Sequence, residues 1–152
     1  MTRSDSEASP LTLRVLEYER TMKRLVPAVK SPSDWDSLAA FIDVENFERI
    51  GTFLEHQDWA QYTEMLTQWA SSIDSFETTV KRISELAHLV FYEVEERHCR
   101  ASAVNVVNSL TVFEFNEDAR IRHLAIYLQQ PAPARSRSFG GPCRRNPERF
   151  GR

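Results

Sequence analysis

Glycine and cysteine are both scarce in this chain, and each scarcity removes a class of function. Four glycines in 152 residues, two of them adjacent at 140–141, leave nothing from which to build a phosphate-cradling loop. Two cysteines, Cys99 and Cys143, make neither a disulfide framework nor a zinc site, and they fit a reducing cytoplasm. Long apolar runs are missing as well. The longest, around Leu86–Tyr92, is far too short to span a bilayer. The opening MTRSDSEASP lacks the apolar core of a signal peptide. The expectation is a cytoplasmic chain that does not enter a membrane.

Basic charge is also missing from most of the sequence. The net charge of −3 hides six Arg against one Glu in residues 131–152, which leaves 13 basic and 21 acidic residues in 1–130. A body with a net of −8 is a poor nucleic-acid binder, because that binding needs Lys and Arg gathered on one face. The last 22 residues carry Pro, Gly, Ser and Arg without periodicity and are expected to form a disordered Arg-rich tail. Residues 1–10 are expected to be a disordered N-terminus. A single domain over 11–130 remains, large enough to bury a core without staples.

What is present is a helical half followed by a β-rich half. Leu11, Val15, Tyr18, Met22 and Leu25 fall on one helical face. Pro27 and Pro32 end that helix, and Ser33 or Asp34 can cap a second one with the stripe Trp35, Leu38, Ala39 and Ile42. DVENFERIGTFLE reads as a short strand with a bend at Gly51. Asp58, with Gln61 three residues on, opens a third helix lined by Trp59, Tyr62, Met65, Leu66, Trp69 and Ile73. Strands are then expected over Phe76–Ser84 and His88–His98. A hairpin spans Val104–Gln129, broken at Asn116–Ala119. In the middle strand one face carries Val90, Tyr92, Val94, Glu96 and His98, and of these Val90, Tyr92 and Val94 are expected to turn inward. Helices first and strands afterwards give an α+β fold: a cone-shaped, curved, mostly antiparallel sheet with three N-terminal helices on its concave face. Such a shape encloses a ligand cavity.

This order of elements, ending in VFEFNEDARIRHLAIYL, resembles the nuclear-transport-factor-2-like superfamily, and within it the SnoaL-like branch. The resemblance covers about residues 11–130. It implies an apolar cavity that binds a small apolar or aromatic ligand, with cyclase, isomerase or dehydratase chemistry on a polyketide- or steroid-like molecule. The alternative is a non-catalytic ligand-sensing or interaction domain of the same fold. A homodimer through the outer sheet face is implied too, consistent with apolar residues on both faces of Val104–Phe115. Two departures are visible. Ala119 stands where the closing turn usually has Gly, and Thr111 stands where isomerase-like members carry an Asp. Their early-strand base would fall near Arg49, which cannot do that chemistry, so a steroid-isomerase mechanism is not expected.

The candidate cavity lining is Tyr18, Arg49, Tyr62, Trp69, Tyr92, Ser109, Thr111 and His123. A guanidinium at Arg49 can clamp a carboxylate or enolate, and Tyr and Trp bring polar tips to an apolar wall. The alternatives are bland. His123 and Tyr127 share one face and could simply look outward, because a one-residue slip in register flips it. Asn108, Ser109 and Thr111 mark either a pocket wall or an exposed face. Glu93 and Glu114, tempting as acid–base groups, sit among charged neighbours and suit solvent. Asp43, Glu45, Glu48 and Arg49 could be a cavity mouth or a surface ion-pair cluster. His98 and Cys99 point to opposite faces and cannot readily share a metal, so neither a metal nor a cofactor is expected.

Overall fold

The structure is a computed structural model that describes residues 9–132. The expected N-terminal segment and Arg-rich tail lie outside these residues, apart from their inner ends. Helix α1 runs Pro10–Leu25, with Pro at its first position, where a missing N–H costs nothing. Its buried stripe is Val15, Tyr18 and Met22. Ser9 provides no side-chain cap; instead Glu85 of the sheet accepts from Thr12 N at 2.8 Å and Thr12 Oγ1 at 3.1 Å, placing a carboxylate on the positive end of the helix.

The second helix is shorter than its stripe suggests. A 3-10 turn at Pro32–Trp35 leads into a single α turn, α2, Asp36–Ala39. Asp34 does not cap it from the front but accepts from the N–H groups of Lys30 and Ser31. Beyond it the backbone is taken by the sheet: Asp43 N donates to Ile121 O at 2.9 Å, and Ile121 N to Phe41 O at 2.7 Å. Trp35, Leu38 and Ile42 are nonetheless fully buried. The early strand is also two pieces, β1 Glu48–Ile50 and β2 His56–Gln57, folded on each other as an antiparallel pair. Helix α3, Trp59–Ser72, has the expected reciprocal cap: Gln61 N donates to Asp58 Oδ1 at 2.8 Å and Asp58 N to Gln61 Oε1 at 2.9 Å.

Four long strands follow: β3 Ser75–Leu86, β4 Leu89–Arg100, β5 Ala103–Phe115 and β6 Ile121–Gln129. The sheet order is β2-β1-β6-β5-β4-β3. All pairs are antiparallel except β1 with β6. The three turns between the long strands contain no glycine. Ala87, Ala101 and Ala119 take positive φ there, at 53°, 51° and 56°, a region that costs a residue with a Cβ roughly 1 kcal/mol. At the last turn Asn116 Oδ1 accepts from Asp118 N and Arg120 N, which holds the strained Ala119 in place.

Register decides which groups look inward. Val90, Tyr92, Val94, Glu96 and His98 stand opposite Phe113, Thr111, Ser109, Val107 and Asn105. Thr111 and Ser109 in turn stand opposite Ile126 and Leu128, and Arg49 is level with Leu124. These residues make the concave face, covered by α1 and α3. The fold is therefore the expected α+β cone.

Candidate functional site

The concave face combines a packed aromatic core with a polar cluster. Tyr18 meets Phe113 and Phe41 edge-on, with centroids at 5.8 and 6.1 Å. Tyr92 meets Phe113 at 6.1 Å. At the end of the sheet nearest the β4–β5 turn, Glu96 accepts from Ser109 Oγ at 2.8 Å through Oε1 and lies 2.9 Å from His98 Nε2 through Oε2. His98 packs on Trp69 at 5.6 Å, and Trp69 on Phe76 at 5.1 Å. From α1, Glu19 faces this group. Its carboxyl is pushed up to about 8, first by burial, then by the neighbouring Glu96 charge, against the pull of Lys23. Lys23 Nζ in turn donates to Thr78 Oγ1.

Glu19 and Glu96 are the groups that the sequence reading passed over. The signal was there. Residues 15, 18, 19 and 22 form one helical face, so Glu19 is a carboxylate on a core stripe. Glu96 continues the inward face of Tyr92 and Val94. Two carboxyl groups in one low-dielectric region cannot both ionise cheaply, so one proton is retained.

Three tyrosines surround the pair. Burial pushes the Tyr18 hydroxyl well up, with Tyr62 and Glu19 adding to it. Burial and then Glu19 raise Tyr92. Tyr62 is raised by burial, against the lowering effect of Arg49. Arg49 enters from β1 and is 7% exposed. Its Nη1 donates to Gln57 Oε1 at 2.8 Å and to Glu55 Oε1 at 3.3 Å, and its Cζ lies 5.1 Å from the Tyr62 ring centroid. Gly51 makes room for this pair: a Cβ there would fall 1.8 Å from Glu55 Oε1 and 2.6 Å from Arg49 Nη1.

Of the eight expected lining residues, Tyr18, Arg49, Tyr62, Trp69, Tyr92, Ser109 and Thr111 come to the concave side. His123 does not. It stands opposite Glu114 on the convex face, with Nε2 3.4 Å from Glu48 Oε1. Tyr127 stands opposite Leu110 there and is exposed. The strand offset that separates them from Ser109 and Thr111 is one residue. Asn108 is likewise convex, reaching Gln129. Glu93 pairs with Arg82 and Glu114 with Arg122, both on the convex face. The acidic cluster around residue 45 disperses. Asp43 accepts from Asn46 and Asn116, Glu48 reaches His56 and His123, and only Arg49 turns inward.

Two open clefts, of about 560 and 430 Å³, lie elsewhere: one beside His88, Glu114 and Arg122, the other beside Glu55, Gln61 and Gln68. On the concave face, contact with solvent is kept by individual inward groups. Glu19, Lys23, Thr78, Glu96, His98, Thr111 and Ile126 are all half-buried. That end is polar. Among the described residues no cluster of three or more His, Cys, Asp or Glu could hold a metal ion, and no helix is long and apolar enough to cross a membrane.

Comparison with solved structures agrees on the fold. A SnoaL-like polyketide cyclase from Agrobacterium tumefaciens superposes with a TM-score of 0.62 at 15% identity, over 80% of this chain and 92% of that one. An NTF2-like protein from Anabaena variabilis gives 0.66 at 10% identity, over 85% and 96%. An LEH-like epoxide hydrolase from M. tuberculosis gives 0.57 at 14% identity, over 77% and 84%. No family model and no curated protein matches the chain. The chain thus shares the α+β cone fold of these SnoaL-like and NTF2-like structures.

Proposed function

We propose that the concave face binds a small organic molecule and moves a proton on it, with Glu19 as the acid and Glu96 as the base. The observation that carries this reading is the carboxyl pair itself. Glu19 keeps its proton near neutral pH, while Glu96 is held as an acceptor by Ser109 and His98. A carboxyl group that keeps its proton, facing a second that accepts hydrogen bonds, is what proton transfer next to a carbonyl requires. Glu96 takes the proton from the carbon, the electron pair moves onto the carbonyl oxygen, and the Glu19 proton goes to that oxygen to give the enol. Reversal restores both groups. The half-buried state of Glu19, Glu96, Thr111 and Ile126 supports entry from this end, past Trp69 and Lys23. The solved neighbours include a polyketide cyclase and an epoxide hydrolase, which fits small-molecule chemistry in this fold. A polyketide-like ligand with an aromatic ring suits the tyrosine-lined wall.

A non-catalytic binding domain is the second reading. It is favoured by Arg49 and Thr111 standing where isomerase-like relatives carry carboxylates.

The convex face is assigned to a second copy of this chain. Phe91, Leu110, Val112 and Ala125 lie on it in register across three strands, and an apolar sheet face of this kind needs cover.

The test of proton transfer uses 2-acetylnaphthalene in D₂O, with exchange of its methyl protons followed by NMR. The wild-type chain should exchange them faster than buffer, with the rate falling as pH rises through about 8. Glu96→Gln and Glu19→Gln should each remove most of the acceleration. Saturable binding without exchange would support the second reading, and no binding at any pH would sink both.

A further inference from the structure

A buried cationic donor near the carboxyl pair has no acceptor. Arg49 Nε is enclosed and forms no hydrogen bond in a residue that is 7% exposed; beside it Tyr18 Oη, 1% exposed, has the Tyr62 hydroxyl as its neighbour. An unmet buried donor is costly, more so when it is charged. Such groups persist where something else completes them. Both hydrogen bonds that Arg49 makes to Gln57 and Glu55 leave from Nη1, so the Nε edge of the planar fork is the unused one. That edge is the side on which a guanidinium meets a carboxylate with two parallel N–H···O bonds. Tyr18 and Arg49 are close enough to perturb one another electrostatically, and both border Tyr62. The ring walls around them, Tyr62, Phe47 and Trp59, are mutually packed at 5.4 to 5.9 Å, so the surroundings are apolar and any anion there is weakly screened.

We infer that Arg49 Nε and Tyr18 Oη together bind the carboxylate of an apolar, carboxylate-bearing ligand whose remainder reaches Glu19 and Glu96. This rests on the small-molecule reading above and narrows it to organic acids. A neutral ligand would leave the guanidinium edge unmatched, and an inorganic anion would leave the aromatic walls unused. Glu55 does not do the same job. It lies on the far side of the guanidinium, at Nη1, and is more than a third exposed.

The experiment compares 2-naphthoate with methyl 2-naphthoate by isothermal titration calorimetry at pH 7 on the full chain. The two probes have the same ring system and differ in charge. Wild type should bind the acid at least tenfold tighter than the ester. Tyr18→Phe should weaken the acid severalfold and leave the ester unchanged. Arg49→Lys, which keeps the charge but loses the Nε edge, should erase most of the preference. Cooperative thermal unfolding of each variant confirms that it is folded. Should Arg49→Lys fail to fold, Tyr18→Phe alone still decides. Equal affinity of acid and ester for wild type, or a Tyr18→Phe chain that keeps the full preference, overturns the carboxylate assignment while leaving the proton-transfer reading standing. Absence of binding by either probe overturns both.

Discussion

Glu19 binds its proton more tightly in the folded chain than in the unfolded one, and this has a consequence for stability. Its carboxyl moves from 4.5 up to about 8 on folding. Between those values the folded state holds a proton that the unfolded state has released, so stability falls as pH rises through that window and is level above it. Replacing Glu19 by Gln removes the effect. Relative to wild type, Glu19→Gln should gain stability between pH 5 and pH 8.5, on the order of 3 kcal/mol, less than the full conversion because the side chain keeps some contact with water. Urea unfolding at a series of pH values measures it; parallel curves for the two proteins would remove Glu19 from the interior. The residue was legible in principle. A carboxylate on the stripe of Val15, Tyr18 and Met22 breaks the apolar pattern, but periodicity alone reads a charge at one stripe position as solvated. Only the facing Glu96, 77 positions away in the chain, tells the two apart. His123 failed for the opposite reason: alternation shows that it shares a face with Tyr127, while the register that chooses the face depends on pairing with Glu114.

At the scale of elements, the scarcity of glycine has a structural cost. Three alanines occupy left-handed positions in the turns of the β3–β6 meander. Ala119→Gly should raise stability by about 1 kcal/mol, since Asn116 already fixes the turn and the Cβ penalty is relieved. Thermal denaturation of the single variant reads it, and a lower midpoint would show that the unfolded-state entropy of glycine outweighs the strain. Capping acts in the other direction. Asp58→Ala should cost about 1 kcal/mol, because Gln61 N loses its acceptor. The sequence was informative where an element has its own local signal: the cap of α3, the alternation of β4 and the Asn116–Ala119 break are all of this kind. It misled at α2, where the apolar stripe runs on to Ile42 but the backbone of Phe41 and Asp43 bonds to Ile121. At DVENFERIGTFLE it showed the short strand and the bend at Gly51, but not that the chain turns back there into a second paired piece. The α2 error comes from a partner distant in sequence, whereas the second piece is set by a local turn that brings Arg49 level with Gln57.

For the molecule as a whole, the sheet has two faces with different assignments. The concave side carries the carboxyl pair, the tyrosines and Arg49. The convex side carries the apolar stripe of Phe91, Leu110 and Val112. A charge placed on that stripe, as in Val112→Glu, should halve the mass measured by sedimentation equilibrium and leave probe binding on the concave side intact. A wild-type chain that sediments as a monomer at high concentration would refute the dimer.

The functional account rests most directly on the protonation of one carboxyl group. Titration of the Glu19 side-chain carbon by ¹³C NMR, in wild type and in Glu96→Gln, addresses it without any ligand. The account predicts a midpoint near 8 in wild type, falling when the Glu96 charge is removed. A midpoint near 4.5 in both proteins would contradict it.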